Sequence, residues 1–176
     1  MSFGLDYVDN ALEEILKEVT NAGMIVFAAA GNHGDNGPRA FPGSLRNIIC
    51  IHASDGKGKD GGISPQAITG SDNNLMTLGM SVPLIWKSRE VVKSGTSFAT
   101  PIAAGIAADV LVIARSFGLT KPEEQRLHSC DGMRQVFHLL SPTSDAGHRY
   151  VAPWKLWTPR RTEAMVRESI LERLRS

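Results

Sequence analysis

Cysteine is scarce in this 176-residue chain, with only Cys50 and Cys130. Two thiols cannot build the disulfide framework of a small secreted domain, and their spacing is not that of a zinc site. The scarcity points to a reduced compartment and leans intracellular, and Cys50, in the apolar run "NIICIHAS", is expected to pack as a small hydrophobe. Charge of one sign is not in excess either: 19 Lys and Arg face 18 Asp and Glu, for a net charge of +1. No general field is left to attract nucleic acid or an anionic membrane, so neither is expected as a partner. Acids interrupt every apolar stretch of residues 1–20, "MSFGLDYVDNALEEILKEVT", which excludes a secretory signal or a membrane span from that segment. Asp55, Asp60 and Asp72 lack the alternating spacing of a calcium loop. There are no internal repeats.

What is present reads as one α/β domain. Hydrophobic residues make up 42% of the chain, enough for a real core. Between Asp6 and Ala22 the apolar residues Val8, Leu12, Ile15, Leu16 and Val19 recur at helical steps, and Gly23 follows as a stop. "MIVFAAA" (24–30) and "NIICIHAS" (47–54) are short apolar runs, predicted as strands buried on both faces. The turn-rich "GNHGDNGPRAFPG" joins them across the surface, and residues 55–74, rich in glycine, are predicted as an exposed loop. Strand-like sequence resumes at Leu75. Pro122 to Leu140 and Thr162 to Leu174 are expected to be helical.

The most informative stretch is "KSGTSFATPIAAGIAADVLVIA", residues 93–114. From Ile102 to Ala114 the only charge is Asp109, and Ala103, Ala104, Gly105, Ala107 and Ala108 are all small. Such a helix is apolar nearly all round and belongs in the middle of a domain. Pro101 suits its first turn. Ser97 then falls at the amino end, where free N–H groups and the positive end of the helix dipole meet developing negative charge. Taken alone, Thr96, Ser97 or Thr100 would be read as a helix cap.

The combination "GTSFATP", Gly95 to Pro101, is more specific than a cap requires. It resembles the active-site serine motif of the subtilisin-like serine peptidases, which implies that Ser97 is a nucleophile. "AAAGN", Ala28 to Asn32, resembles that family's oxyanion-hole segment, which implies that the Asn32 amide and the Ser97 N–H hold the tetrahedral oxygen. "MSFG" resembles the segment that pairs with an extended substrate. By that likeness Ser2, Phe3 and Gly4 line the cleft, with Ala29, Ala30, Gly31 and Thr96 as further substrate-binding positions. "FPG" and "IHASD" fit the same order.

The resemblance implies a serine endopeptidase acting through an acyl-serine, with a polypeptide substrate and no cofactor. Family members often carry structural calcium, but no ligand set is legible here and no metal site is assigned. The implied fold is a three-layer α/β/α domain with a mainly parallel sheet, incomplete on its amino-terminal side. Residues 1–140 would be the carboxy-terminal part of that domain, and 141–176 a terminal extension with a helix, packed on or flanking it.

A serine needs a base to take its proton and an acid to orient that base. In this family both precede the serine, in Asp-Ser/Thr-Gly and His-Gly-Thr segments that are not found here. His33 adjoins Asn32 and so lies on the wrong side of the attacked carbonyl. His52 sits in a predicted strand, where it is expected to be satisfied or half-exposed. His128, His138 and His148 follow the serine, against the order. The chain is therefore expected to be a fragment of a longer active enzyme, inactive by itself, whose further partner is the missing amino-terminal half of the domain or another chain. The alternative is a truncated pseudoenzyme serving as a peptide-binding or interaction module. Either way, unpaired strand edges are expected to make the isolated chain poorly soluble or partner-dependent.

Overall fold

The computed structural model describes residues 1–175, apart from the side chain of Asn36. A five-stranded sheet runs through it in the order β1-β2-β3-β7-β6. Its strands are β1 (Phe27–Ala29), β2 (Ile49–Ser54), β3 (Leu75–Leu78), β6 (Thr143–Asp145) and β7 (His148–Tyr150). The pairs β1–β2, β2–β3 and β3–β7 are parallel, and β6–β7 is antiparallel. Parallel pairing calls for crossovers that cover both faces of the sheet, and β2 is accordingly buried at every residue.

Alternation along the strands decides what each face meets. Phe27, Ile49, Ile51 and Leu75 share one face and pack on α2 (Thr96–Ala114) through Ala99, Ala103, Ala107 and Val110. Helices α3 (Lys121–Leu127), α4 (Cys130–Leu139) and α5 (Glu163–Arg175) complete that layer with Leu127, Met133, Val136, Phe137, Val166 and Ile170. On the opposite face α1 (Asn10–Asn21) sets Leu16 against Ala28 and Ile48. Asp9 caps α1 by accepting from the Leu12 N–H at 3.0 Å. Residues 143–150 add two strands to the sheet and α5 packs in the main core, so the tail after residue 140 is built into the domain.

Several elements differ from expectation for identifiable reasons. The helix expected over 122–140 is two, because Ser129 caps a new start by accepting from Gly132 N–H at 3.0 Å. The loop over 55–74 is not wholly exposed: Ser64, Pro65, Asn73 and Asn74 are buried against the sheet, and the Ser64 hydroxyl accepts from Ala53 N–H at 2.8 Å. A second, two-stranded sheet, β4 (Val82–Trp86) with β5 (Arg89–Lys93), was not legible. Its turn residues Lys87 and Ser88 have φ of 48° and 59°, left-handed values that hairpin turns usually assign to Asn-Gly or Asp-Gly. The β6–β7 turn uses Ala146 and Gly147 in the same way.

Helix α2 is covered on one side only. Ala103, Ala107, Val110 and Ala114 are buried, while Pro101, Ala104, Gly105, Ala108 and Val112 are exposed. Among the described residues, Thr96–Phe117 is the one helical stretch long and apolar enough to cross a membrane, and its inner face is part of the protein core. Pro101 lies inside α2 rather than in its first turn. Lacking an N–H, it cannot make the helical bond to the Ser97 carbonyl four residues back.

Two contacts fix where α2 begins. The Thr77 hydroxyl donates to the Ala99 carbonyl at 2.7 Å, and Gly95 N–H donates to the Gly79 carbonyl at 2.8 Å. A Cβ on Gly79 would stand 2.7 Å from Ala53 Cβ and 3.0 Å from Gly95 O. Only glycine therefore lets the first turn of α2 settle onto β2 and β3.

Candidate functional site

The amino end of α2, the carboxyl end of β1 and the first residues of the chain meet at one surface. Gly95 occupies the helix cap position and, lacking a side chain, cannot cap α2 itself. The hydroxyls are used elsewhere. Thr96 accepts from Gly31 N–H at 3.3 Å, and its single proton is shared between Gly31 O at 3.3 Å and Asn32 Oδ1 at 3.1 Å. Thr100 donates to the Thr96 carbonyl at 2.8 Å. Ser97 donates to the Ser2 carbonyl at 2.7 Å. Capping, the bland reading of the hydroxyl run, is thus not what these groups do.

Asn32 is exposed just beyond β1, and its Oδ1 accepts from Thr96 N–H at 2.9 Å. Because a backbone N–H can only donate, the atom facing it must be the amide oxygen. The Nδ2 end is thereby turned away from Thr96 and is free to donate. Ser97 is the second residue of α2, so its own N–H is one of the amino-terminal donors with no acceptor inside the helix. Two donors and a hydroxyl therefore stand at the positive end of a helix dipole.

The remaining cleft positions flank this point. Met1 continues along the outer edge of β1: its amino group donates to Phe27 O, and its carbonyl accepts from Ala29 N–H at 3.1 Å. Ser2, Phe3 and Gly4 follow as an exposed segment. Leu5 then pairs in antiparallel fashion with Phe41. Ala29 and Ala30 are buried, and Ala30 O accepts from Ala40 N–H at 2.8 Å. Gly31 turns the chain with φ of +107°, a value that favours glycine. Residues 2–4 thus lie against the segment after β1, and a Cβ added at Gly4 would stand 2.4 Å from the Ala40 Cβ, so this wall of the candidate site is closely packed. Sequence reasoning missed the groups that hold it in place: Thr77, Gly79 and Ala40.

Among the described residues, none of the five histidines hydrogen-bonds Ser97, whose hydroxyl is taken by the Ser2 carbonyl. His33 is exposed in the loop after Asn32 and His128 is exposed after α3. The His138 ring nitrogen lies 2.6 Å from the Asp72 carbonyl. His52, expected to be satisfied or half-exposed, is fully buried. Its ring lies 4.2 Å from that of buried His148, and its Nε2 lies 3.8 Å from Cys50 Sγ. His52 Nδ1 and both nitrogens of His148 have no hydrogen-bond partner.

Burial is the main cause that pushes both histidines below the ordinary histidine range, with Arg39 and the neighbouring imidazole adding to the effect on His52. Asp60 and the Pro65 backbone partly oppose it at His148. Cys50 is pushed up to about 11 by burial, the behaviour of a core thiol. Among the described residues, no group of three or more His, Cys, Asp or Glu could hold a metal ion.

The buried histidine pair sets a pH dependence of stability. Burial favours the neutral form of both rings in the folded protein, whereas the unfolded chain takes up protons near the ordinary histidine value of about 6.5. The unfolded state therefore binds more protons below that pH, and stability falls as pH drops through it, by about 1.4 kcal/mol per pH unit for each proton that only the unfolded chain binds. Unperturbed carboxylates titrate below about pH 4.5, so the window from about pH 6.5 to 5 isolates the histidines. The urea midpoint is expected to fall across that window, with His138, which burial also holds below the ordinary histidine range, adding in the same direction. A midpoint constant down to pH 5 would contradict the burial of the pair in its neutral form.

The subtilase family, peptidase S8, is matched over residues 1–136. The chain belongs to the subtilase family. It is 30% identical over 115 residues to the extracellular basic protease of Dichelobacter nodosus, covering 61% of this chain and 19% of that protein. It is also 30% identical over 115 residues to subtilisin DY of Bacillus licheniformis, covering 63% and 41%. Among solved structures, the prenylagaramide maturation protease PagA matches with a TM-score of 0.69 at 20% identity, over 99% of this chain and 60% of its own. That likeness establishes a subtilisin-like fold. The chain spans well under half the length of these two curated relatives.

Proposed function

We propose that this chain is the carboxy-terminal part of a serine endopeptidase domain, in which Ser97 attacks the scissile carbonyl while the Asn32 amide and the Ser97 N–H hold the resulting oxyanion. The observation that carries the reading is the anchoring of Asn32 Oδ1 on Thr96 N–H, which turns Nδ2 away from that anchor as a free donor one residue from the nucleophile. Donors held rigid before charge develops need no reorganisation during the reaction, which is why such a site lowers the barrier. An extended polypeptide would lie along this surface, pairing with the exposed backbone of Ser2, Phe3 and Gly4, with Ala29, Ala30, Gly31 and Thr96 shaping the packed wall behind it. Main-chain pairing of this kind accepts many sequences.

Proton transfer has to come from outside the described residues. Ser97 donates to the Ser2 carbonyl, a group that cannot carry the proton away, and that direction marks one path by which a base could approach the hydroxyl. The uncovered outer face of α2 and the adjoining groove lined by Met1, Ile25, Phe27, Pro101 and Ala104 support a further polypeptide layer beside β1, either the amino-terminal part of the domain or another chain. In the second reading, the chain acts without proton transfer as a peptide-binding module; the hydrogen bond from Ser97 to a carbonyl rather than an imidazole favours it.

A fluorophosphonate probe tests the assignment. The isolated chain is expected to show no rapid labelling and no turnover of a chromogenic peptide, because a neutral serine hydroxyl is a poor nucleophile without a base. A longer protein containing this chain together with a His and an Asp is expected to label stoichiometrically, at Ser97 alone. Labelling of that protein at another residue would remove the nucleophile assignment, and an inert longer protein that still binds peptide would establish the second reading.

A further inference from the structure

Pro101 weakens the turn of α2 that carries Ser97. Having no N–H, it leaves the Ser97 carbonyl without its helical donor. The bond before it is stretched: Gly95 O accepts from Phe98 N–H at 3.0 Å but from Ala99 N–H only at 3.4 Å. Bonds within the helix therefore hold this turn loosely, and the position of Ser97 depends on what neighbouring elements supply. Ties to Ser2, Gly31 and Asn32 reach the turn from the side of the candidate site. From the side of the sheet, Gly79 O accepts from Gly95 N–H at 2.8 Å, and the Thr77 hydroxyl donates to the Ala99 carbonyl at 2.7 Å.

Thr77 is suited to set a distance. It lies on β3, which is paired with β2 on one side and β7 on the other, so the strand is a firm reference and the helix turn is the part that can give. Thr77 and Ala99 are both buried, out of reach of a bound polypeptide. An O–H···O contact of 2.7 Å is closer than any carbon can approach a carbonyl oxygen, which takes about 3.3–3.6 Å. A methyl group in place of the hydroxyl would therefore push the turn outward by about half an ångström or more.

We infer that Thr77 is a positioning residue, whose hydroxyl draws the Ala99 carbonyl onto β3 and so sets the place of Ser97 relative to the Asn32 amide. This rests on the peptidase reading of Ser97 and Asn32. Thr77 touches neither substrate nor reacting atoms and acts through the Ala99 carbonyl alone.

Steady-state kinetics of the longer, base-containing protein test this. Misplacing a reacting group by about 1 Å costs about a hundredfold in rate, so Thr77→Val, with about half that shift, is expected to lower kcat about tenfold and leave KM unchanged. The maximal rate of fluorophosphonate labelling should fall by the same factor. Thr77→Ser keeps the hydroxyl and should recover kcat to within about twofold of the wild type, although the lost methyl lowers the melting temperature. Thr77→Ala removes the hydroxyl without placing a carbon against the carbonyl, and its kcat should fall between those of the serine and valine variants. Ser141→Ala is the control for stability: Ser141 is buried and donates to the Phe137 carbonyl of α4 at 2.7 Å, so its loss should lower the melt and leave kcat as it was.

Wild-type kcat in the valine and alanine variants overturns the inference. So does a serine variant as slow as valine, which would assign the effect to packing rather than to the hydroxyl, or a change in KM at constant kcat, which would assign it to binding. A Ser141→Ala variant as slow as Thr77→Val would show that kcat merely follows stability and overturns it as well. Should the valine variant not fold, the alanine and serine variants decide by the same criteria. A wild-type longer protein that turns over no peptide removes the peptidase reading itself, an outcome seen before any variant is compared.

Discussion

Ser97→Ala in the longer, base-containing protein is expected to abolish peptide hydrolysis while leaving the fold and peptide binding in place. The magnitude to expect is a fall of about a millionfold in kcat, the loss seen when the catalytic serine of a subtilisin, a member of this same family, is removed. The fold should tolerate the change because the Ser97 hydroxyl makes one partly exposed hydrogen bond, to the Ser2 carbonyl, typically worth about 1 kcal/mol. Thermal melts of wild type and variant should therefore nearly coincide. Active-site titration with a fluorophosphonate should read zero for the variant and one per chain for the wild type. Hydrolysis that survives the substitution at more than about a hundredth of the wild-type rate, beyond anything residual oxyanion stabilisation provides, would mean that another group attacks.

Asn32→Ala should slow hydrolysis by about 100- to 1000-fold in kcat, the loss found for an oxyanion donor in a subtilisin, with little change in KM. The split follows from when the bond forms: the amide donates to the oxygen as it becomes tetrahedral and anionic, so transition-state binding is lost and ground-state binding is kept. Asn32 also accepts from Thr96 N–H and from the Thr96 hydroxyl, so the alanine variant leaves a donor unpaired and is expected to melt somewhat lower. Asn32→Asp separates the two roles. Its carboxylate can still accept from Thr96, yet it has no donor and places negative charge where the oxyanion forms. It should melt close to the wild type and be at least as inactive as alanine. An aspartate variant with near-wild-type kcat would show that residue 32 only holds the start of α2 in place.

The candidate site residues were the easiest to find. Ser97 and Asn32 stood out because "GTSFATP" and "AAAGN" resemble the serine and oxyanion-hole segments of the subtilisin-like peptidases; taken alone, each would be read as a cap or a turn residue. The strands β1 and β2 and the helices α1, α2 and α5 followed from apolar periodicity. The β4–β5 ribbon did not, because Lys87 and Ser88 adopt left-handed backbone values without the glycine that would have signalled the turn. The break between α3 and α4 was hidden in a continuous apolar pattern and is set by a single capping hydroxyl, Ser129. His52 was misjudged since nothing in a strand pattern reveals that a second imidazole, almost a hundred positions away in sequence, will lie against it.

By itself, the sequence determined the class of domain and the order of its main elements, since these are local patterns, and its likeness to the subtilisin-like peptidases singled out Ser97 and Asn32 as candidates. Only the tertiary structure decided that Asn32 turns its amide nitrogen away from Thr96, that Thr77 and Gly79 hold the first turn of α2 against β3, and that His52 and His148 are buried together. Those features depend on which distant segments share a face of the sheet and how closely they approach, and that is settled by packing across the whole chain rather than by any one stretch of it.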